Sequence, residues 1–196
     1  MQNDPFKTSD TEIVHRVLNG DADAFEFLLI RYKDTVLKIV KKHVPYNDVE
    51  ETIQNVFLRA YQSLPTFKGK SGFGHWLSSI AVRTCCDFWR KTYRSREVPM
   101  STLSEKHQRW LEEVITEQSE QAINEKGSQN EARELLNWAL GRLTAEDRMV
   151  TELVYLEGLT GKEAADLLGW SISNVKVRCF RSRKKLEKIL EEVRQK

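Results

Sequence analysis

Leu159-Thr-Gly-Lys-Glu-Ala-Ala-Asp-Leu-Leu-Gly169-Trp-Ser-Ile-Ser-Asn-Val-Lys-Val-Arg178 decides the fold class, because each residue type in it suits two helices crossing at a tight turn. Thr160 can cap the first helix, and Glu163 three residues on completes a capping box. Ala164 and Ala165 are small, as close packing of crossed helices requires. Gly169 can take the left-handed conformation that other residues resist. Ser171 or Ser173 can cap the second helix, with Ile172, Val175 and Cys179 expected to face inward. The layout is that of a helix-turn-helix.

The second helix is basic. From Ile172 to Lys188 seven basic residues stand against Glu187 alone. In a helix-turn-helix the start of the second helix enters the major groove, where Arg, Lys and Asn read base edges. Ser171, Ser173, Asn174, Lys176, Arg178, Arg181, Arg183 and Lys184 are therefore the candidate contacts to duplex DNA. Basic residues further along neutralise phosphates, which gives affinity without sequence information. A solvated basic face on a helical hairpin is the plainer alternative, and a charge run alone would favour it; the capping box, the alanine pair, the turn glycine and the basic second helix taken together point to DNA binding.

Upstream, the chain continues to read as helix. Four prolines and nine glycines interrupt 196 residues, and no stretch alternates with the period of a strand. Thr11 to Asn19 reads as a short helix capped by Ser9 or Asp10 and stopped by Gly20. Asp21 or Asp23 can cap a longer one, in which Phe25, Leu28, Leu29, Tyr32, Val36, Ile39 and Val40 form one apolar stripe. Pro45 ends it. Asn47 or Asp48 can cap the next helix, with Val49, Ile53, Val56, Phe57, Ala60 and Tyr61 as its buried face, and Pro65 stops it. A further helix starts near Phe73 and runs past Trp89, with Trp76, Leu77, Ile80, Ala81 and Phe88 as candidate core.

The stretch Phe67 to Arg96 carries a second nucleic-acid signal. Seven basic residues stand there against Asp87, interleaved with Phe67, Phe73, Trp76, Phe88, Trp89 and Tyr93. Single strands need such a mixture: cations that track phosphate and aromatic faces on which bases stack. Aromatics at helical spacing are more often core, and Trp76 is read as core; Trp89 and Tyr93 stay open between the two roles.

Between the helical blocks the character changes. From Pro99 to Glu134 eight glutamates face four basic residues, and apolar residues gather in one island around Trp110 and Val114. Such a segment cannot bury enough surface to fold alone and reads as a linker or a loosely docked helix. The expected architecture is all-α: two small helical domains, residues 1–97 and 133–196, joined by an acidic flexible linker at 98–132.

Other classes fit less well. The four histidines are scattered, with no two at metal-ligand spacing, and no catalytic constellation is visible; no metal, cofactor or enzymatic activity is expected. Three cysteines without a spacing pattern fit a reducing compartment, and Cys85 and Cys86 on an apolar stretch are read as core. No apolar run nears the roughly 20 residues of a membrane span, and the polar N-terminus lacks a signal-peptide core; a cytoplasmic protein is expected. The competing reading is a dimeric helix-turn-helix regulator of duplex DNA, to which the basic-aromatic segment would be useless.

Several segments resemble one family, the extracytoplasmic-function (ECF) sigma factors of RNA polymerase. Asp10-Thr-Glu-Ile-Val-His-Arg-Val-Leu-Asn-Gly-Asp-Ala-Asp-Ala-Phe25 resembles their opening, and Asp48-Val-Glu-Glu-Thr-Ile-Gln-Asn-Val-Phe-Leu-Arg-Ala-Tyr61 their polymerase-binding helix. Phe73-Gly-His-Trp-Leu-Ser-Ser-Ile-Ala-Val-Arg-Thr-Cys-Cys-Asp87 is similar to their promoter-melting segment. Leu143-Thr-Ala-Glu-Asp-Arg148 and Val175-Lys-Val-Arg-Cys-Phe-Arg-Ser-Arg183 are similar to the two ends of their C-terminal promoter-binding domain. The resemblance implies a specificity subunit of core RNA polymerase that recognises both promoter elements and melts DNA. Its partners would be the clamp helices of the largest polymerase subunit and the flap, promoter DNA and an anti-sigma protein. It assigns polymerase binding to Asp48, Glu51, Gln54, Asn55 and Arg59. It assigns the single-stranded downstream element to Phe67, Lys68, Lys70, Arg83, Asp87, Arg90 and Lys91, with a flipped base held in a pocket. The acidic linker would thread toward the active-site and RNA-exit channels. Two residues depart from the family pattern: Asn55 stands where Glu or Asp is usual, and Arg83 where Asn is usual.

Overall fold

The computed structural model describes residues 8–95 and 126–194. Among them the chain forms helices and no strand, in two domains. The first has α1 (Asp10–Leu18), α2 (Phe25–His43), α3 (Val49–Ser63) and α4 (Phe73–Ser95). The second has α5 (Lys126–Leu140), α6 (Ala145–Thr151), a π-helical turn (Glu152–Leu156), α7 (Gly161–Leu168) and α8 (Ile172–Arg194). Residues 98–125 of the expected linker lie outside the described residues, and α5 runs through position 132, where that linker was expected to end.

Local chemistry sets most helix starts. Ser9 caps α1, its Oγ accepting the Glu12 N–H at 3.2 Å. Asp21 accepts the Ala24 N–H, but the element it caps is a short 3₁₀ turn, and α2 begins behind it without a side-chain cap. Asp48 sits at the start of α3 and makes no cap bond; a 3₁₀ turn at Tyr46–Asp48 leads in instead. The helix-turn-helix forms as read. The Thr160 hydroxyl accepts the Glu163 N–H at 3.2 Å and the Glu163 carboxylate accepts the Thr160 N–H at 2.8 Å. Gly169 takes φ +72° at the end of α7, and the Ser171 Oγ accepts the Asn174 N–H at the start of α8.

The expected stripes supply the core, with two corrections. Leu28, Val36 and Val40 of α2, Val49, Val56, Phe57 and Ala60 of α3, and Leu77, Ala81 and Cys85 of α4 are buried. Tyr61 is 41% exposed, although its ring meets Phe25 edge-on at the domain surface. Ile172 is 44% exposed, because it lies in the first turn of α8, ahead of Val175 and Cys179, which seal against the rest of the domain. The two domains do not stand apart. Most of their buried apolar residues form one contiguous core, with α4 lying against α6 and α7.

The turn glycine is also where the domains touch. A Cβ built on Gly169 would stand 2.5 Å from the Arg83 guanidinium of α4. Gly169→Ala therefore combines left-handed backbone strain with displacement of Arg83. It is expected to lower stability by about 1–2 kcal/mol, read from the urea unfolding midpoint.

Candidate nucleic-acid interface and the contact that covers it

Some of the side chains expected to meet polymerase and the downstream promoter element share one groove, while Gln54, Phe67, Lys68, Lys70, Arg83 and Arg90 lie outside its lining. Asp48, at the start of α3, and Glu51, Asn55 and Arg59 of α3 line it with Asp87, Phe88 and Lys91 of α4. Arg59 and Arg90 both donate to the Asp87 carboxylate, one to each oxygen. Gln54 is exposed on the outer side of α3. Lys68 and Lys70 project from the loop after α3, while Phe67 folds back onto Phe73 and Trp76, with ring centroids 5.4 and 5.3 Å away. Trp76 thus belongs to an aromatic cluster at the loop's root, as expected of a core residue.

Two of the downstream candidates are engaged by the second domain. Arg83 donates from Nε to the Leu167 carbonyl at 3.3 Å, at the C-terminal end of α7. That end carries unpaired carbonyls and partial negative charge, which suit a guanidinium. Arg90 donates from Nε to Glu146 at 2.6 Å.

On α8, Ser173, Asn174, Lys176, Arg181, Arg183 and Lys184 are exposed. Ser171 spends its oxygen on the cap. Arg178 is half-buried: Nη1 donates to Asp147 at 2.6 Å, Nε to Asn174 at 3.2 Å, and its guanidinium lies 5.1 Å from the centre of the Trp170 ring. The exposed cations of α8 therefore flank Arg178.

Between the domains lies a buried polar cluster that sequence reading did not find. His43, at the end of α2, places Nδ1 2.6 Å from Glu152 and Nε2 2.7 Å from Glu157. Lys42 donates to the other Glu157 oxygen at 2.7 Å, and Arg148 donates from Nε to Glu152 at 2.7 Å. Arg148 also contacts the Tyr93 hydroxyl and the Asn137 side chain, and its guanidinium stacks 3.7 Å from the centre of the Trp89 ring. The Trp89 indole N–H donates to the His43 carbonyl at 2.8 Å. Trp89 and Tyr93 are thus committed to the domain interface rather than presented to bases. Burial opposes charge on His43, but the hydrogen bonds to Glu152 and Glu157 outweigh it and raise its pKa to about 9. The bonds from His43 and Lys42 hold Glu157 down at about 2.

Known proteins give this arrangement a family. The Sigma-70 region 2 model matches residues 28–95, and the Sigma-70, region 4 model matches residues 133–186. The ECF RNA polymerase sigma-E factor of Escherichia coli (strain K12) is 30% identical over 185 residues, covering 91% of this chain and 93% of the relative. The chain belongs to the ECF RNA polymerase sigma factors. The sigma-E factor of Haemophilus influenzae is 29% identical over 91% of this chain and 94% of its own length. Among solved structures, CnrH in complex with the cytosolic domain of CnrY is similar in fold, with TM-score 0.52 and 24% identity over 92% of this chain and 96% of that one.

As a sigma factor the chain is a DNA-binding transcription initiation factor that works with RNA polymerase, and a regulator independent of polymerase gives way to that membership. Among the described residues no helix is long and apolar enough to cross a membrane, and no group of three or more metal-ligating side chains gathers. Burial pushes the thiols of Cys85 and Cys86 up to about 12 and 11, so both are held protonated and unreactive.

Removing one member of the buried cluster strands its partner's charge. Arg148→Ala leaves Glu152 buried beside His43 alone. The variant is expected to lose about 3–5 kcal/mol of unfolding free energy, measured by urea denaturation with circular dichroism.

Proposed function

We propose that this sigma factor seats α3 on the clamp-helix coiled coil of the largest polymerase subunit, melts and reads the downstream promoter element with the Phe67–Gly72 loop and α4, and reads the upstream element as duplex with α8. The α3–α4 groove carries this reading, because it gathers Asp48, Glu51, Asn55 and Arg59 on one wall and Asp87 and Lys91 on the other. A charged groove of that kind suits a charged helical partner on one side and a phosphate chain on the other. In this scheme residues 1–97 handle polymerase and the melted strand, residues 98–132 connect, and residues 133–196 hold the upstream element and meet the flap. The neutral Asn55 leaves Glu51 and Asp48 to supply the acidic contacts. Arg83 holds a phosphate, because a guanidinium has donors only and cannot reproduce the paired donor and acceptor of the asparagine amide usual at that position.

An anti-sigma protein is the expected regulator. CnrH, similar in fold, was solved with the cytosolic domain of CnrY, and the apolar surface of Tyr155, Val154 and Phe180 beside α8 offers a protein partner or the flap a place to dock.

Transcription with purified core polymerase, on promoters mapped by overexpressing the chain, tests the scheme. Initiation at defined starts is expected, and Glu51→Lys is expected to weaken core binding at least tenfold. Failure to bind core or to start transcripts overturns it.

On α8 the exposed Lys176 occupies the base-reading end and Lys184 lies further along. Lys176→Ala is expected to cost about 1–3 kcal/mol on the cognate upstream element and to relax one position. Lys184→Ala is expected to weaken all sequences alike and to reduce the salt slope by about one. Binding titrations at several salt concentrations separate the two.

A further inference from the structure

The polar cluster between the domains is larger than a structural ion pair needs to be, and its location gives it a consequence. His43 contributes from the first domain, and Glu152 and Glu157 from the second. Both imidazole nitrogens face carboxylate oxygens, at 2.6 and 2.7 Å. A neutral imidazole has one N–H and one lone pair, so one of these two contacts would set a lone pair against a carboxylate. Only the imidazolium turns an N–H toward both; the Glu152 contact is a hydrogen bond, and the Glu157 contact is an ion pair to an oxygen that is buried without a hydrogen bond of its own.

We propose that His43 is a proton-dependent latch: protonated, it bridges Glu152 and Glu157 and holds the helix-turn-helix domain over α4; deprotonated, it releases that domain and frees the promoter-contacting side chains of α4. The covered side chains are Arg83, which donates to the Leu167 carbonyl, and Arg90, which pairs with Glu146. Closed, the molecule has the very cations that the proposed function gives to the downstream element tied to its own second domain. The latch deepens that proposed function and rests on it only for the purpose of opening, since closure itself is a property of the free chain.

The surroundings determine the sign. Facing His43 are Glu152 from the π turn and Glu157 just after it, Lys42 from its own helix, and, through Glu152, Arg148 from α6. Cys85 on α4 is a neutral thiol, pushed up to about 12 by burial, and the Trp89 indole N–H binds the His43 carbonyl. None of these supplies a proton to replace the one His43 loses. In the open form His43 is exposed and returns to the ordinary histidine range near 6.5; in the closed form it titrates at about 9. Closure is therefore favoured in full below about pH 6.5 and lost progressively as pH rises toward 9, and the open-to-closed ratio rises on the order of a hundredfold across that interval.

The test uses the full chain, free of polymerase and DNA. Small-angle X-ray scattering from pH 6 to 9.5 reads the radius of gyration, circular dichroism at each pH reads helicity, and ring ¹³C NMR reads the titration of His43. The expected result is a radius that grows by several ångströms as His43 deprotonates, at constant helicity. His43→Asn is expected to be expanded at every pH, and Glu157→Gln to shift the transition to lower pH. A radius that is flat with pH in the unaltered chain overturns the latch. So does a growth of the radius with rising pH that persists unchanged in His43→Asn, or one that tracks loss of helicity. None of these readouts involves promoter or polymerase, so failure of the latch is distinguishable from failure of the proposed function, which the transcription assay tests.

Discussion

A histidine buried between two carboxylates sets the terms for the rest of this molecule. His43 and Glu152 are each less than 5% exposed, and a buried charge is tolerated only when its partners and hydrogen bonds are complete. That requirement fixes much at once. It orients the end of α2, and through the Trp89 N–H bond to the His43 carbonyl it fixes the roll of α4. It places Arg148 between Glu152 and the Trp89 ring. The face of α4 that meets the second domain, and hence the fate of Arg83 and Arg90, follows from the same geometry.

The π-helical turn is what makes the double contact possible. In an α-helix, residues five apart point about 140° from each other, so Glu152 and Glu157 could not both reach one ring. In the π turn, the Glu157 N–H donates to the Glu152 carbonyl at 3.0 Å, the i to i+5 bond of that geometry. The two residues are then stacked on one side, a turn apart, and a single histidine spans them. A widened turn of this kind is locally unfavourable, and here it is repaid by two charge-assisted contacts.

This explains which parts of the molecule were legible in the chain and which were not. The capping box at Thr160, the turn at Gly169 and the stripes of α2 and α3 each depend on residues a few positions apart, where residue type and spacing carry the physics. Tyr61 and Ile172 were misplaced because a periodic pattern shows where a stripe runs but not how wide the covering layer is. The charged cluster was hidden for a different reason. His43 follows Val36 and Val40 at helical spacing, so its burial could have been read, but its partners lie more than a hundred residues away. Their pairing also depends on a π turn that an α-helical projection conceals. Trp89 and Tyr93 were undecided between base platform and core for the same reason: the guanidinium that claims them is on the other domain.

The polar character of the join bears on how a sigma factor can use one set of side chains twice. Were the domains held by apolar packing alone, separating them would expose dry surface and opening would depend little on conditions. Charged groups behave otherwise. Once parted, Lys42, His43, Arg148, Glu152 and Glu157 are rehydrated, and Arg83 and Arg90 are released to phosphate. Any ligand of the open form must first overcome the free energy of closure, which lowers its apparent affinity by the fraction of molecules that are open. Arg83 is thus placed where it couples the two states of the proposed latch. In the proposed scheme the donors it directs at the carbonyl end of α7 are the donors DNA would need, so strengthening the first contact weakens net binding at the second.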